Sequence, residues 1–316
     1  MEIDQRAPRA AGTGAFRNGV RKMRKMKGLY LLLVPGILYY AIFVYKPMWG
    51  IIYAFQEFSI KKGILGSKWV GFEHFIRFFE SPWFGTLFRN TAVLALLNLV
   101  FYFPAPIILA LLLNEVINHR FKRTVQSLTY LPHFLSWVVI YGIFRNLFSI
   151  EGGAINVIIE SLGGSPVSFL QSEGWFRPII LIQTLWKEIG WGTIIFLAAL
   201  AGVDVELYEA AIVDGAGHWQ RLVHITVPGI MPTIVTMLIL RLGSFMDSGF
   251  EQIYLMLNTM NRQVAEVFDT YVYRVGVSNG QFSYSTAIGL FKSVVGLILV
   301  LGADRLAKAV GEEGII

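Results

Sequence analysis

The chain has 316 residues, 55% of them hydrophobic and only 15% charged, with a mean hydropathy of +0.57. Soluble domains carry about a quarter charged residues, so this composition excludes an ordinary water-soluble globule and points to lipid as the main solvent. The formal charge of +6 does not indicate nucleic acid, because the basic residues cluster beside apolar runs. The lack of cysteine excludes a disulfide framework, a zinc–thiolate site or a thiol nucleophile.

Residues 1–16 show no periodic pattern and are expected to be irregular. The basic stretch from Arg17 to Lys27 precedes the apolar run Leu29–Tyr45, which continues through Met48–Phe55 with no small-residue cleavage site. This predicts a retained first span rather than a removed leader. A helix needs about 20 mostly apolar residues to cross roughly 30 Å of hydrocarbon. Six stretches meet that need: Leu29–Tyr53, Asn90–Ile117, Thr124–Phe148, Pro178–Val203, Ile230–Leu257 and Tyr284–Ala309. Helix is the form expected, since lipid offers backbone groups no partner and barrel-type alternation is absent.

Between the spans, Phe72, Phe75, Ile76 and Phe79 recur at helical spacing, with Glu73, Arg77 and Glu80 off that face. That predicts a short helix lying along the membrane surface. Residues 262–276 carry Arg262, Glu266, Asp269 and Arg274 among aromatics, too many charges for a span, and predict a helix or scoop-like loop outside. Pro104 and Pro106 fall inside the second span and predict a kink. Arg120, Lys122 and Arg123, Arg221, Arg305 and Lys308 fall on the same side as the basic N-terminal stretch if the spans alternate, so both termini are expected in the cytoplasm. Lys61, Lys62 and Lys68 oppose that contrast but sit in a long loop, where the rule is weak.

The most informative segment is Glu209–Pro232, EAAIVDGAGHWQRLVHITVPGIMP, between the fourth and fifth spans on the expected cytoplasmic side. Val205–Val213 favours helix with Asp204 as N-cap. Asp214-Gly215 is a turn signal, with the glycine taking a left-handed conformation. Gly217–Thr226 predicts a second helix, which Pro228 is expected to stop. Ala210, Ala211 and Ala216 keep the elbow slim enough to enter a groove on another protein.

This segment resembles the EAA loop of binding-protein-dependent ABC importer permeases. Glu209-Ala210-Ala211, Asp214-Gly215-Ala216, Leu222, Ile225 and Val227-Pro228 stand at the family's spacing. Leu222 replaces the usual Phe, and Val227 the usual Leu. Further stretches extend the resemblance along nearly the whole chain: Leu112–Val116, Leu131–Val138, Leu185–Gly192, Gly249–Gln252 and Thr270–Gly276. They are similar to the first permease of carbohydrate importers in the maltose-permease group, and within it to permeases for acidic oligosaccharides such as alginate or aldouronates.

The resemblance implies an all-α membrane protein with six transmembrane helices of the type I ABC importer fold in the bacterial inner membrane. It implies a basic tail at residues 1–27 and a permease domain at 28–316, with the coupling loop at 204–228. The implied partners are a second permease, two ATPase subunits and a solute-binding protein, and the cargo is an oligosaccharide. ATP and Mg would be held by the ATPases, with no cofactor on this chain. Glu209 would anchor the loop, and Asp214, Gly215 and Ala216 would sit deepest in the ATPase groove.

Charges inside spans are costly, about 2.5 to 3.5 kcal/mol each on insertion scales, so they face a cavity or pair. Lys187 and Glu188, flanked by Trp186 and Trp191, and Asp247, Glu251 and Tyr254 are the candidate substrate path, since aromatics stack on sugar rings and charges bond hydroxyls or carboxylates. A second reading stands for each. The tryptophans can be packing or interfacial anchors, and the charges can satisfy partner helices. Arg241 and Asp247 lie off one face, so each is expected to have its own partner, while Lys292 can pair across helices. His133 and His224 lack a second ligand at metal-binding spacing. No HExxH, GxSxG or phosphate loop occurs. A stand-alone secondary transporter or channel would also account for the spans, but not for the Glu209–Pro228 elbow. An intramembrane enzyme lacks a nucleophile–base or metal constellation.

Overall fold

The computed structural model describes residues 27–309 together with Gly311 and Gly314, and these are mostly helical. The N-terminal basic residues Arg17–Lys25 and the expected irregular tail lie outside the described residues. The chain divides into two compact units, one ending at Ile52 and one beginning at Tyr53. The first holds helix α1 (Lys27–Tyr40), a π-helical turn at Ala41–Tyr45 and the short turn Lys46–Met48. Its leucines and tyrosines are exposed on every face. A helix apolar all round belongs in lipid. Run on to Phe55, it is a 29-residue helix long and apolar enough to cross a membrane.

The second unit opens with a two-strand ribbon, β1 (Gln56–Glu57) antiparallel to β2 (Lys68–Trp69). Helix α2 (Glu73–Glu80) follows, exposing Phe72, Ile76 and Phe79 as the periodicity predicts, while Phe78 is buried. Helix α3 (Pro82–Leu97) is N-capped by Ser81 and continues through a π-turn at Asn98–Tyr102 into α4 (Pro104–Glu115). After α5 (His119–Tyr130), capped by Asn118, come α6 (Trp137–Phe148), α7 (Ala154–Ser161) and the long α8 (Glu173–Leu200). The elbow helices are α9 (Val205–Val213) and α10 (His218–Arg221). The last group is α11 (Val227–Gly243), α12 (Phe250–Met256), α13 (Arg262–Ala265), α14 (Phe268–Tyr273) and α15 (Phe282–Ala309).

Three of the prolines share one device. π-Turns end two residues before Pro47, Pro104 and Pro228, at Tyr45, Tyr102 and Thr226. A proline in an α-helix collides with the carbonyl four residues earlier and donates no hydrogen bond. Widening the preceding turn to i→i+5 bonding moves that carbonyl aside. Pro104 therefore lies within one continuous apolar helix from Pro82 to Glu115. Pro228 likewise does not stop the second elbow helix, as its sequence position suggests. His218–Gly243 is a single 26-residue helix that runs straight from the elbow into the apolar layer.

Two stretches read as single spans are broken. Thr124–Phe148 bends by 103° between Phe134 and Trp137. Pro132 converts Leu131–Phe134 to a 3₁₀ turn, and Ser136 restarts the helix by accepting from the Val139 amide. Ile230–Leu257 is also not continuous. α11 ends at Gly243, and α12 begins after Gly249, whose φ of +77° sets a left-handed turn. Among the described residues, five helices are thus long and apolar enough to cross a membrane, or six if the bent pair counts as one span. Residues 262–276 are helical as expected, but they are tucked inward, with Ala265, Glu266, Val267, Phe268 and Gly276 buried.

Helix α8 is the axis of this unit, packing on α4, α5 and α11. Its approach to α5 is so close that a Cβ on Gly190 would run into the Thr129 carbonyl, and its approach to α4 so close that one on Gly192 would sit 2.9 Å from Pro106 Cγ. Without a water-driven force between helices in lipid, such backbone contacts supply much of the adhesion. Polar side chains add to it. Gln252 on α12 donates to the Ile180 carbonyl and the Gln183 side chain and accepts from Thr184. Asn90 on α3 donates to the carbonyls of Gln263 and Glu266 and accepts from Arg177.

Candidate functional site

At the C-terminal end of α8 the chain leaves the apolar layer and forms the elbow. Asp204 caps α9 by accepting from the Glu206 amide at 2.9 Å. The helix ends at Gly215, whose φ of +79° only glycine adopts without strain. The Ala216 amide closes the turn on the Ala211 carbonyl at 2.8 Å, and the Gln220 side chain accepts from the Gly217 amide at 2.8 Å. Tyr208 and Thr226 join the two arms by a hydroxyl–hydroxyl bond of 2.9 Å. At the base, His218 lies 3.3 Å from Glu115 at the end of α4. The elbow is thus a braced lever whose far arm is continuous with α11.

Its tip is exposed. Glu209, Ala210, Asp214 and Gly215 lie open, Ala211 and Ala216 are half-buried, and nothing stands within 4 Å of a Cβ built on Gly215. Val213 is 87% and Trp219 72% exposed, with Ile212 beside them. Large apolar side chains exposed this far are the kind of surface on which partners dock. Val213 and Trp219 carry that character as strongly as the EAA residues. Sequence reasoning passed over them because single apolar residues in a polar connector raise no pattern. Pro228 lies at the start of α11, where its role is to set the π-turn.

The candidate path residues fall into three settings. Lys187, 7% exposed, donates to the carbonyls of His133 (2.5 Å) and Leu135 (2.7 Å), which the bend between α5 and α6 leaves without helical partners. Its ammonium also lies 5.4 Å from the Trp137 ring and 3.7 Å from Glu188. Glu188 meets His133 Nδ1 at 2.8 Å, and the His133 ring stacks on Trp191 at 4.2 Å with planes 2° apart. Lys187, Glu188 and Trp191 therefore converge on His133, a residue the metal argument had set aside. Its signal was its place in the Pro132 break. Trp186 is not part of this group. It stands against Phe144 of α6 instead.

In the second setting, Lys292 on α15 bridges Asp247, just beyond α11, and Asp269 on α14. This is the cross-helix pairing considered for Lys292, and Asp247 is tied up in it. Arg241 has a different partner, as its spacing suggests. Its guanidinium lies over the Tyr102 ring at 5.2 Å. In the third, Tyr254 packs with Phe250 at 5.3 Å and Tyr273 at 5.2 Å, and Glu251 is exposed beside them. The buried Glu266 is held by a two-pronged bond from Arg274, 2.7 and 3.0 Å.

Comparison with known proteins bears on this arrangement. Residues 102–312 match the family model described as "Binding-protein-dependent transport system inner membrane component". Protein LplB of Bacillus subtilis (strain 168) is 55% identical over 93% of this chain and 92% of its own length. The polygalacturonan/rhamnogalacturonan transport system permease protein YteP of the same organism is 54% identical, over 93% and 92%. A chain in the crystal structure of a bacterial alginate ABC transporter, solved with an alginate pentasaccharide-bound periplasmic protein, superposes with a TM-score of 0.86. It is 38% identical, covering 93% of this chain and 99% of that one. With the family model spanning the broken span, the elbow and both helices that flank it, the chain belongs to the inner membrane components of binding-protein-dependent transport systems.

Proposed function

We propose that the chain is one of two permeases in an ABC importer that carries oligosaccharides of acidic sugars across the bacterial inner membrane. It makes six crossings, counting the bent pair α5–α6 as one, and both termini are cytoplasmic. The chain performs no hydrolysis. Two ATPase subunits hold ATP and Mg, a second permease completes the channel, and a solute-binding protein delivers the cargo.

One observation carries this reading: an elbow braced on the inside and bare at its tip, continuous with a membrane helix. Closure of the ATPases on ATP moves the seated elbow, and the unbroken His218–Gly243 helix carries that movement into the apolar layer. A coupling path needs an element with two positions that both ends bias, and a stiff helix crossing from socket to channel is such an element. Glu209, which makes no ion pair among the described residues, is free to engage an ATPase cation.

The acidic cargo is supported by chemistry and by kinship. Arg241, which meets no carboxylate within 4 Å among the described residues, brings positive charge into the apolar layer, and the His133–Trp191 stack offers a flat surface for a sugar ring. Relatives are named for polygalacturonan and rhamnogalacturonan transport and for import of the acidic polysaccharide alginate.

The test is a reconstituted complex with its partner subunits. Acidic oligosaccharides are expected to stimulate its ATPase more than neutral ones of equal length. Gly215→Arg is expected to abolish ATP-driven uptake while membrane insertion is kept. Normal uptake by that variant contradicts the coupling role, and equal stimulation by neutral sugars contradicts the acidic cargo.

A further inference from the structure

At the end of the molecule opposite the elbow, a pocket of about 780 Å³ opens between α6, the loop that leads into α8 and the turn after α12. Its size is that of small-molecule sites, which run from about 300 to 1,000 Å³. The 28 residues of α8 separate it from the elbow by about 40 Å at 1.5 Å per residue. Tyr141, Arg145, Phe148, Ser168, Gln171 and Asn258 line it.

These groups are not equally free. Asn258 spends its amide on the carbonyls of Leu170 and Met256, and its oxygen accepts from the amides of Met260 and Asn261, so it makes a fixed wall. Gln171 accepts from Ser168 at 3.1 Å and keeps its amide hydrogens unspent. Arg145 is exposed, and among the described residues its guanidinium donates no hydrogen bond and meets no carboxylate within 4 Å. Glu151 lines the same pocket beyond ion-pairing reach. An unpaired guanidinium fork beside two aromatic rings, within a walled pocket, is a carboxylate-and-ring receptor in search of its ligand.

Helix α6 links this pocket to the buried lysine. Trp137, Tyr141 and Arg145 follow at i, i+4 and i+8, so they share one face. Trp137 is the residue whose ring lies 5.4 Å from Lys187 Nζ. Arg145 is eight residues further, about 12 Å along the axis. The face runs ring, ring, cation from Trp137 to Arg145, a length that an oligosaccharide of a few units spans.

We propose that this pocket is a second carbohydrate subsite, in which Arg145 takes the carboxylate of an acidic sugar unit while the leading end of the same chain reaches toward Trp137. The proposal rests on the importer reading above, and it assigns to the outer mouth of the permease a part in selecting the cargo. Tyr141 and Phe148 flank the sugar ring, Gln171 donates to it, and Glu151 accepts from its hydroxyls.

The test uses the full complex in proteoliposomes with its solute-binding protein. Import of an acidic oligosaccharide is compared with that of its carboxyl-reduced, neutral counterpart. In Arg145→Gln, acidic import is expected to fall about three- to tenfold, neutral import is expected to change less than twofold, and Arg145→Lys is expected to recover part of the loss. An equal fall for both sugars assigns Arg145 to docking of the binding protein or to lipid anchoring, and overturns the subsite. An unchanged Arg145→Gln overturns it as well. Failure of the unmodified complex to import either sugar sinks the importer reading itself, so the two failures are told apart.

Discussion

At the scale of single residues, the cations read within the apolar layer, Lys187, Arg241 and Lys292, each have a partner. Lys187 shows why. The bend between α5 and α6 strands the carbonyls of His133 and Leu135, and the ammonium of Lys187 caps both. Lys187→Met leaves those acceptors bare, at about 1–3 kcal/mol for each unsatisfied group. A marked drop in the thermal midpoint of the detergent-solubilised complex is expected. Glu188→Gln keeps a hydrogen bond to His133 and is expected to lower it less; equal losses would contradict this division of roles. Gly190→Val places a branched side chain against the Thr129 backbone, and neither helix can yield without moving the bend. Overpacking of this kind costs about 1–3 kcal/mol or more, so lower yield of folded protein in the membrane is expected. The sequence named Lys187, Glu188 and Trp191 because charges and tryptophans are conspicuous in an apolar run. It did not name His133 as their meeting point, since that depends on how a broken helix folds back against α8, a long-range fact with no local periodicity.

At the scale of elements, proline positions were legible and their consequences were not. A proline in a helix pattern reads as a kink or a stop, yet the π-turns before Pro47, Pro104 and Pro228 let the helices continue. The real break comes at Pro132. There the following residues lead to Ser136, a good N-cap, so starting a new helix competes with continuing the old one. The π-turn at Leu222–Thr226 also sets the rotation of the elbow relative to α11. Pro228→Ala removes the need for the wide turn, and relaxing it to α-helix rotates the elbow by about 100°. ATP-driven import is expected to fall while the amount of chain in the membrane stays unchanged or rises. Import at the native rate would show that the elbow's orientation does not depend on this turn. The elbow itself was readable from Asp204, Gly215 and the alanines, because capping and left-handed turns are local chemistry.

At the scale of the whole molecule, composition alone indicated lipid and the hydrophobic runs located the long apolar helices. Their ends and their breaks needed the structure, since mean hydropathy does not register a 103° bend or a left-handed glycine. Along α8 the second unit has three distinct stretches. Its N-terminal end borders a pocket with an unspent arginine, its middle holds the Lys187–Glu188–His133–Trp191 group, and its C-terminal end carries the elbow. Because the chain contains no cysteine, single-cysteine variants report position cleanly. The most direct measurement places a cysteine at Val213, on the elbow tip, and cross-links it in the intact complex with and without ATP. Bonding to the ATPase subunit, changed in yield by ATP, is the predicted result. Modification of that cysteine by an impermeant reagent from outside the cell, or no bond to the ATPase in either state, would contradict the account.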